Sequence, residues 1–201
     1  MEIPSIVIIG DDSQAGTYFL RIHLKKNTTL KFGRFKKGKR ILLPAGDYIY
    51  IGSALSEKGA TSLARRLIRH ATRSGDKPPH PIREKMINRF SERGLGPRDL
   101  LPKRGKTLHW NVDFLLDLSS AELVNIFAIR SAERLENRLA KRLEQDPHTE
   151  IIEPGLGAND TPGNTHLLRI RKNRMGWTSL TDTVKVVLEE NALNQTNDVK
   201  D

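Results

Sequence analysis

The chain has 201 residues, 37% of them apolar, with 34 Lys and Arg against 24 Asp and Glu, a formal charge of +10 and no cysteine. That length supports one domain with a real core and leaves little room for a second. Lack of cysteine excludes disulfides, thiolate nucleophiles and cysteine zinc sites and fits a reducing cytoplasm, while the positive surplus points to a polyanionic partner.

The apolar run Ile6 to Ile9 is far too short for a signal segment or a membrane span, so no membrane association is expected. Ser5 to Ile9 and Tyr18 to Leu24 are rich in β-branched and aromatic residues. In the second, Tyr18, Leu20, Ile22 and Leu24 alternate with Phe19, Arg21 and His23, which gives a strand with one apolar face. Thr28 to Phe32 ends in Gly33. The basic stretch Lys36 to Arg40 leads to Ile41-Leu42-Leu43, a Pro44-Ala45-Gly46 turn and a strand over Asp47 to Gly52. Several short strands joined by tight turns imply a mostly antiparallel sheet.

From Thr61 the period becomes helical. Leu63, Ala64, Leu67, Ile68 and Ala71 share a face, Thr61 or Ser62 is placed to cap the start, and the helix should stop near Ser74-Gly75. Residues 75–108 hold a helix over Ile82 to Arg93 among Pro and Gly, with nine Lys and Arg against four Asp and Glu. This stretch reads as a basic surface insertion, either a solvated linker or a flap that grips nucleic acid. His109 to Leu116 resumes the core and Leu123 to Ile129 reads as a strand. Ala132, Leu135, Leu139 and Leu143 define a helix ending near Pro147. Ile151-Ile152 and His166 to Ile170 are further strand candidates, Val184 to Leu188 a last helix, and 194–201 a polar tail expected to be disordered. The expected organisation is one α+β domain over 1–176, a small central sheet flanked by helices, followed by a C-terminal helix and tail over 177–201.

Three short strings carry the chemistry: Gly16-Thr17-Tyr18, Tyr50-Ile51-Gly52, and a helix with Arg66 and His70 one turn apart. Two phenols, a guanidinium and an imidazole beside strands are parts of a phosphodiester-cutting site. In isolation the tyrosines read as ordinary sheet aromatics and Arg65, Arg66, Arg69 and Arg73 as a solvated helix face. Together with a later glutamate helix, these strings resemble the GIY-YIG nuclease superfamily. They are more similar still to a prokaryotic branch with a Y-(I/V)-G-S-A string, an R-H helix, an H-W-H-(I/V)-D-(Y/F)-L block, an E-C-x-L-A helix and a G-(F/L)-G-x-x-D segment leading to H-L. The match runs from Gly16 to about Ile170 with 75–108 unmatched. Asn111 stands for the second histidine of the tryptophan block, and the branch's cysteines are absent.

The resemblance implies a GIY-YIG-like fold and a metal-dependent endonuclease acting on nucleic acid, DNA more than RNA, in repair or processing. It assigns Tyr18, Tyr50, Arg66, His70 and Glu136 to catalysis, with Glu136 holding Mg²⁺ or Mn²⁺. Gly52, Arg65, Arg69, Arg73 and His109 fall to substrate contact, and His109, Asp113, Asp160 and His166 to auxiliary or structural hydrogen bonding. A free phenol has a pKa near 10, so a tyrosine base needs a cation or an activated water beside it. Arg66 can hold two phosphate oxygens in its planar fork. Glu136 is preferred to Glu133 because Ala132, Leu139, Ala140 and Leu143 lean it toward the apolar face. One carboxylate suits Mg²⁺, which keeps waters and takes ligands from phosphate. Two other readings remain at this point: a non-catalytic nucleic-acid-binding module on the same scaffold, and an interaction protein that binds neither DNA nor RNA.

Overall fold

The protein, described from a computed structural model, is placed over residues 4–102, 105–109, 111–158, 163–171, 180 and 182–190. Trp110, Asp160 and the expected tail over 194–201 lie outside the described residues. The strands are β1 (Ile6–Gly10), β2 (Gly16–Leu24), β3 (Thr28–Lys31), β4 (Arg40–Leu43), β5 (Gly46–Ala54), β6 (Ala121–Arg130), β7 (Thr149–Glu150) and β8 (Leu167–Ile170). The helices are α1 (Leu63–His70), α2 (Ile82–Glu92), α3 (Asn111–Leu116) and α4 (Glu136–Glu144), and 182–190 are also helical.

The architecture is α+β. Six strands form one sheet in the order β1-β6-β2-β5-β8-β7, antiparallel except for the β1–β6 pair. Alternation along β2 sends Tyr18, Leu20, Ile22 and Leu24 to one face, where they meet Leu63, Leu67, Val112 and Leu115 of α1 and α3. Phe19 points to the opposite face and packs with Ile51, Phe127, Leu139 and Val184 beneath α4 and the last helical stretch. Arg21 and His23, on that opposite side of β2, both engage Asp47 of β5. The strands β3 and β4 do not extend the main sheet; they form a separate two-stranded hairpin.

Several expectations need correction. The 75–108 stretch is built into the main core, with Ile82, Met86, Phe90, Leu95 and Leu100 all buried against it. A spacing of four along Ile82, Met86 and Phe90 makes an apolar helix face, and that outweighs the charged residues around it. The segment is locked by His80, whose Nδ1 accepts from Leu123 N–H at 3.0 Å while Nε2 lies 3.0 Å from Leu116 O. The first helix ends at His70, not near Gly75, because the chain beyond it is captured elsewhere: His80 N–H donates to Ala71 O and Ser74 N–H to Asp117. Helix α4 starts at Glu136, so Ala132 precedes it and is exposed. The strand expected at Ile151-Ile152 lies two residues earlier, where Thr149 and Glu150 pair with Ile170 and Arg169, and Ile151 is exposed.

Candidate functional site

Antiparallel register sets the two tyrosines beside one another. Tyr18 lies opposite Gly52 and Tyr50 opposite Leu20, so both phenols leave the same face of adjacent strands with ring centroids 6.3 Å apart. Gly52 leaves them room: a Cβ there would stand 2.5 Å from Tyr18 Oη and 2.9 Å from Tyr50 Cε1. Any side chain at Gly52 would have to displace both rings. Helix α1 crosses above and drops His70 between them, its ring centroid 5.6 Å from Tyr18 and 6.1 Å from Tyr50.

A chain of three buried groups runs inward from this cluster. Tyr18 Oη is 2.9 Å from His70 Nε2, and His70 Nδ1 is 3.2 Å from Asp113 Oδ1. An ionised carboxylate only accepts, so Nδ1 carries the imidazole proton and Nε2 accepts from the phenol. Asp113, fully buried in the first turn of α3, also receives Arg69 Nη2 at 2.9 Å, Lys106 Nζ at 3.3 Å and the His109 amide at 3.1 Å. Burial pushes the Asp113 carboxyl up, but the His70 hydrogen bond with Lys106 and Arg69 outweighs it and holds it well below the carboxylate range. Burial drives His70 down to about 4, so it is neutral at pH 7.

Glu136 opens α4 and is fastened to β5, the strand that carries Tyr50. Its Oε2 accepts from Ser53 Oγ, and its Oε1 is 3.1 Å from Nδ1 of buried His166. His166 is itself fixed through its backbone, accepting from Ile51 N–H and donating to Leu156 O, each at 2.9 Å. What draws Glu136 inward is therefore Ser53 and His166 rather than Ala132. Burial pushes its carboxyl up, yet the hydrogen bonds from His166 and Ser53 and the charge of Arg66 leave it lowered, hence ionised. Its place in the first turn of α4 adds the favourable end of the helix dipole. Burial raises both phenols, opposed by Arg66 and reinforced by Glu136 and Asp113, which places guanidinium and carboxylate within electrostatic reach of both rings.

The remaining residues divide. Arg65 lines a cleft of about 410 Å³ with Gln14, Glu57, Ser62 and Gly96 that includes neither tyrosine. Arg69 and Arg73, expected at the substrate, are taken up by the protein: Arg69 by Asp113 and Thr107 O, Arg73 by Pro78 O and Ala121 O. A buried carboxylate and a fixed carbonyl hold the Arg69 guanidinium, and two fixed carbonyls hold that of Arg73. His109 contributes its backbone amide to Asp113, and its residue is exposed. Two participants have no role assigned by the sequence pattern, Ser53, which is the serine of the Y-(I/V)-G-S-A string, and Lys106 of the basic 75–108 stretch.

The buried histidines give a measurable pH dependence. His70 is lowered to about 4 and His80 to about 3, in both cases chiefly by burial. A base whose folded pKa is depressed contributes stability that is complete above its unfolded value and lost as pH falls toward the folded one. Denaturant unfolding is therefore expected to show a loss of roughly 3 kcal/mol from His70 alone between about pH 6.5 and 4. A flat stability profile over that interval would contradict the buried neutral imidazole.

One carboxylate flanked by a histidine, with a guanidinium and two phenols in reach, fits a hard cation that completes its shell with water and phosphate oxygen. Among the described residues no group of three or more His, Asp or Glu is placed to hold a metal by itself. No described helix is long and apolar enough to cross a membrane. Fold and side chains together define a small α+β domain that gathers tyrosines, histidine, arginine and glutamate around one strand pair. The chain belongs to the family described as Domain of unknown function DUF123, which matches residues 17–189 and so spans every residue of this cluster. No curated protein and no solved structure matches it significantly.

Proposed function

We propose that the protein is a GIY-YIG-type endonuclease, a metal-dependent hydrolase of nucleic-acid phosphodiesters that acts on DNA in repair or processing. The observation that carries this reading is the meeting of Tyr18, Tyr50 and His70 from three separate elements, with the charges of Arg66 and Glu136 acting on both phenols. Glu136, seated by Ser53 and His166, is the residue that would hold Mg²⁺ or Mn²⁺. When bound, the cation supplies charge neutralisation at the scissile phosphate.

Arg66 places a fixed positive charge against oxygen atoms that gain charge in the transition state. Tyr18, whose phenol burial keeps protonated, does not act as a phenolate. It takes the nucleophile's proton while passing its own to His70 Nε2, and Asp113 holds the imidazole in the tautomer that can receive it. A phosphodiester brings negative charge that favours the imidazolium, offsetting part of the burial penalty.

Labelled duplex, branched and single-stranded DNA and matching RNA, each incubated with Mg²⁺ or Mn²⁺ and with chelator, test the proposal. Strand scission that requires the cation is expected on at least one DNA form. Salt-sensitive binding without scission under any cation would instead identify a non-catalytic module on the same scaffold.

A further inference from the structure

We infer that the β3–β4 hairpin is the surface that grips the phosphate backbone of nucleic acid; the identity of this polyanion rests on the nuclease reading above. Between positions 31 and 40 the hairpin carries Lys31, Arg34, Lys36, Lys37, Lys39 and Arg40 and no acidic residue. All six are exposed. Only Glu153 answers them among the described carboxylates, taking Lys36 and, at 2.8 Å, Lys39. Arg34, Lys37 and Arg40 engage no described carboxylate.

A run of charge on a hairpin is ordinarily a solvated face, but this one is built against its own stability. Lys31 pairs directly across from Arg40 on the outer side, and like charges in opposed cross-strand positions repel. Lys36 and Lys37 both occupy the left-handed region, at φ of 44° and 58°, ahead of Gly38 at 76°. Gly or Asn is the residue suited to such positions, and strain of this kind collects where a surface has a task. An anion lying across the hairpin relieves the repulsion and gives Lys37, which has no described carboxylate partner, a counter-charge.

Placement connects the hairpin to the candidate site. Phe32, Ile41 and Leu43 anchor it in the same core that buries Tyr18 and Tyr50. Glu153, which clamps the tip, begins the turn that reaches Leu156, whose carbonyl accepts from the amides of His166 and Leu167. His166 in turn seats Glu136. One stretch of chain thus fixes both the basic tip and the carboxylate. The basic 75–108 segment is anchored separately, through α2 packed on α1 and β6.

The test is fluorescence-anisotropy binding of a labelled duplex by the full chain over a salt series. The triple variant Arg34→Gln, Lys37→Gln, Arg40→Gln leaves the Glu153 clamp intact. A control, Lys85→Gln, Arg93→Gln, Arg98→Gln, removes the same charge from exposed positions of the other basic segment. The hairpin variant is expected to bind at least about tenfold more weakly near 0.1 M salt, its log–log salt slope shallower by about 2 to 3, at roughly 0.9 per lost duplex phosphate contact. The control should keep a steeper slope and tighter binding. Equal losses in both variants, wild-type behaviour of the hairpin variant, or absence of duplex binding by the wild-type protein at low salt each overturns the inference. Displacement of duplex by polyglutamate at equal charge does so too, since it would make the surface a general polyanion site. Cleavage is scored separately. Scission with an intact hairpin-variant affinity sinks this inference alone, whereas lost affinity without any cation-dependent scission sinks the nuclease reading and leaves the surface standing.

Discussion

Replacing Glu136 with Ala or Gln should reduce cation-dependent cleavage on the order of 10³-fold or more while leaving nucleic-acid binding nearly unchanged. A cation at a phosphoryl oxygen is worth several kcal/mol of transition-state stabilisation, and each 1.36 kcal/mol is a factor of ten. The carboxylate is ionised, is oriented by Ser53 and His166, and feels the charge of Arg66. On the proposed reading, loss of its charge would remove the protein's hold on the cation but none of the exposed basic residues that would meet phosphate. The defect should therefore fall on kcat, with dissociation constants for the duplex preserved. Gln keeps an acceptor for Ser53 and packs in the same volume, so it separates the charge from the fold. Glu133→Ala, three residues earlier and ahead of α4, is expected to cleave as the wild type does. Single-turnover cleavage by Glu136→Gln within about tenfold of wild type would remove Glu136 from the metal role.

The extent to which this site could be read from the sequence follows the range of the forces that form it. Local alternation places Tyr18 and Tyr50 in strands as ordinary sheet aromatics; their resemblance to the family strings marks them as a pair, and their mutual register comes from the fold. His70 was legible through its one-turn spacing from Arg66, although its complete burial was not, since that depends on α3 delivering Asp113 from the other end of a long excursion. Ala132, which sequence spacing sets on the same helical face as Glu136, lies outside the helix. The physical reason for the position of Glu136 is tertiary, a serine on β5 and a histidine ahead of β8. Lys106 illustrates the opposite failure. A lysine in a basic, proline-rich stretch reads as solvated, yet here its ammonium is buried between Asp113 and Thr72 O, and burial lowers its pKa. Composition described the segment's surface and missed its interior, where Ile82, Met86 and Phe90 repeat every four residues.

That buried charge set makes Asp113 the position where stability and chemistry are expected to fail together. Asp113→Asn is nearly isosteric, but it leaves Arg69 and Lys106 facing each other without the carboxylate that both contact. Removing one partner from a buried ion pair typically costs about 3–5 kcal/mol, because the remaining charge stays desolvated. Denaturant unfolding at pH 7 should show a loss of that order. The same change alters His70. An amide can present a donor to Nδ1, moving the imidazole proton to Nε2, and an Nε2–H cannot accept from Tyr18. Cleavage should then fall by about 10²–10⁴, the usual contribution of a positioned acid–base group. Nitrogen NMR of the His70 ring distinguishes this from simple loosening. Wild-type protein is expected to show the proton on Nδ1, and Asp113→Asn to show it on Nε2 or exchanging between the two. Asp113→Glu, if it folds, restores the charge and should recover the Nδ1 tautomer and part of the rate. A wild-type ring protonated on Nε2 would break the chain from carboxylate to phenol, and with it the assignment of Asp113 as the residue that positions His70.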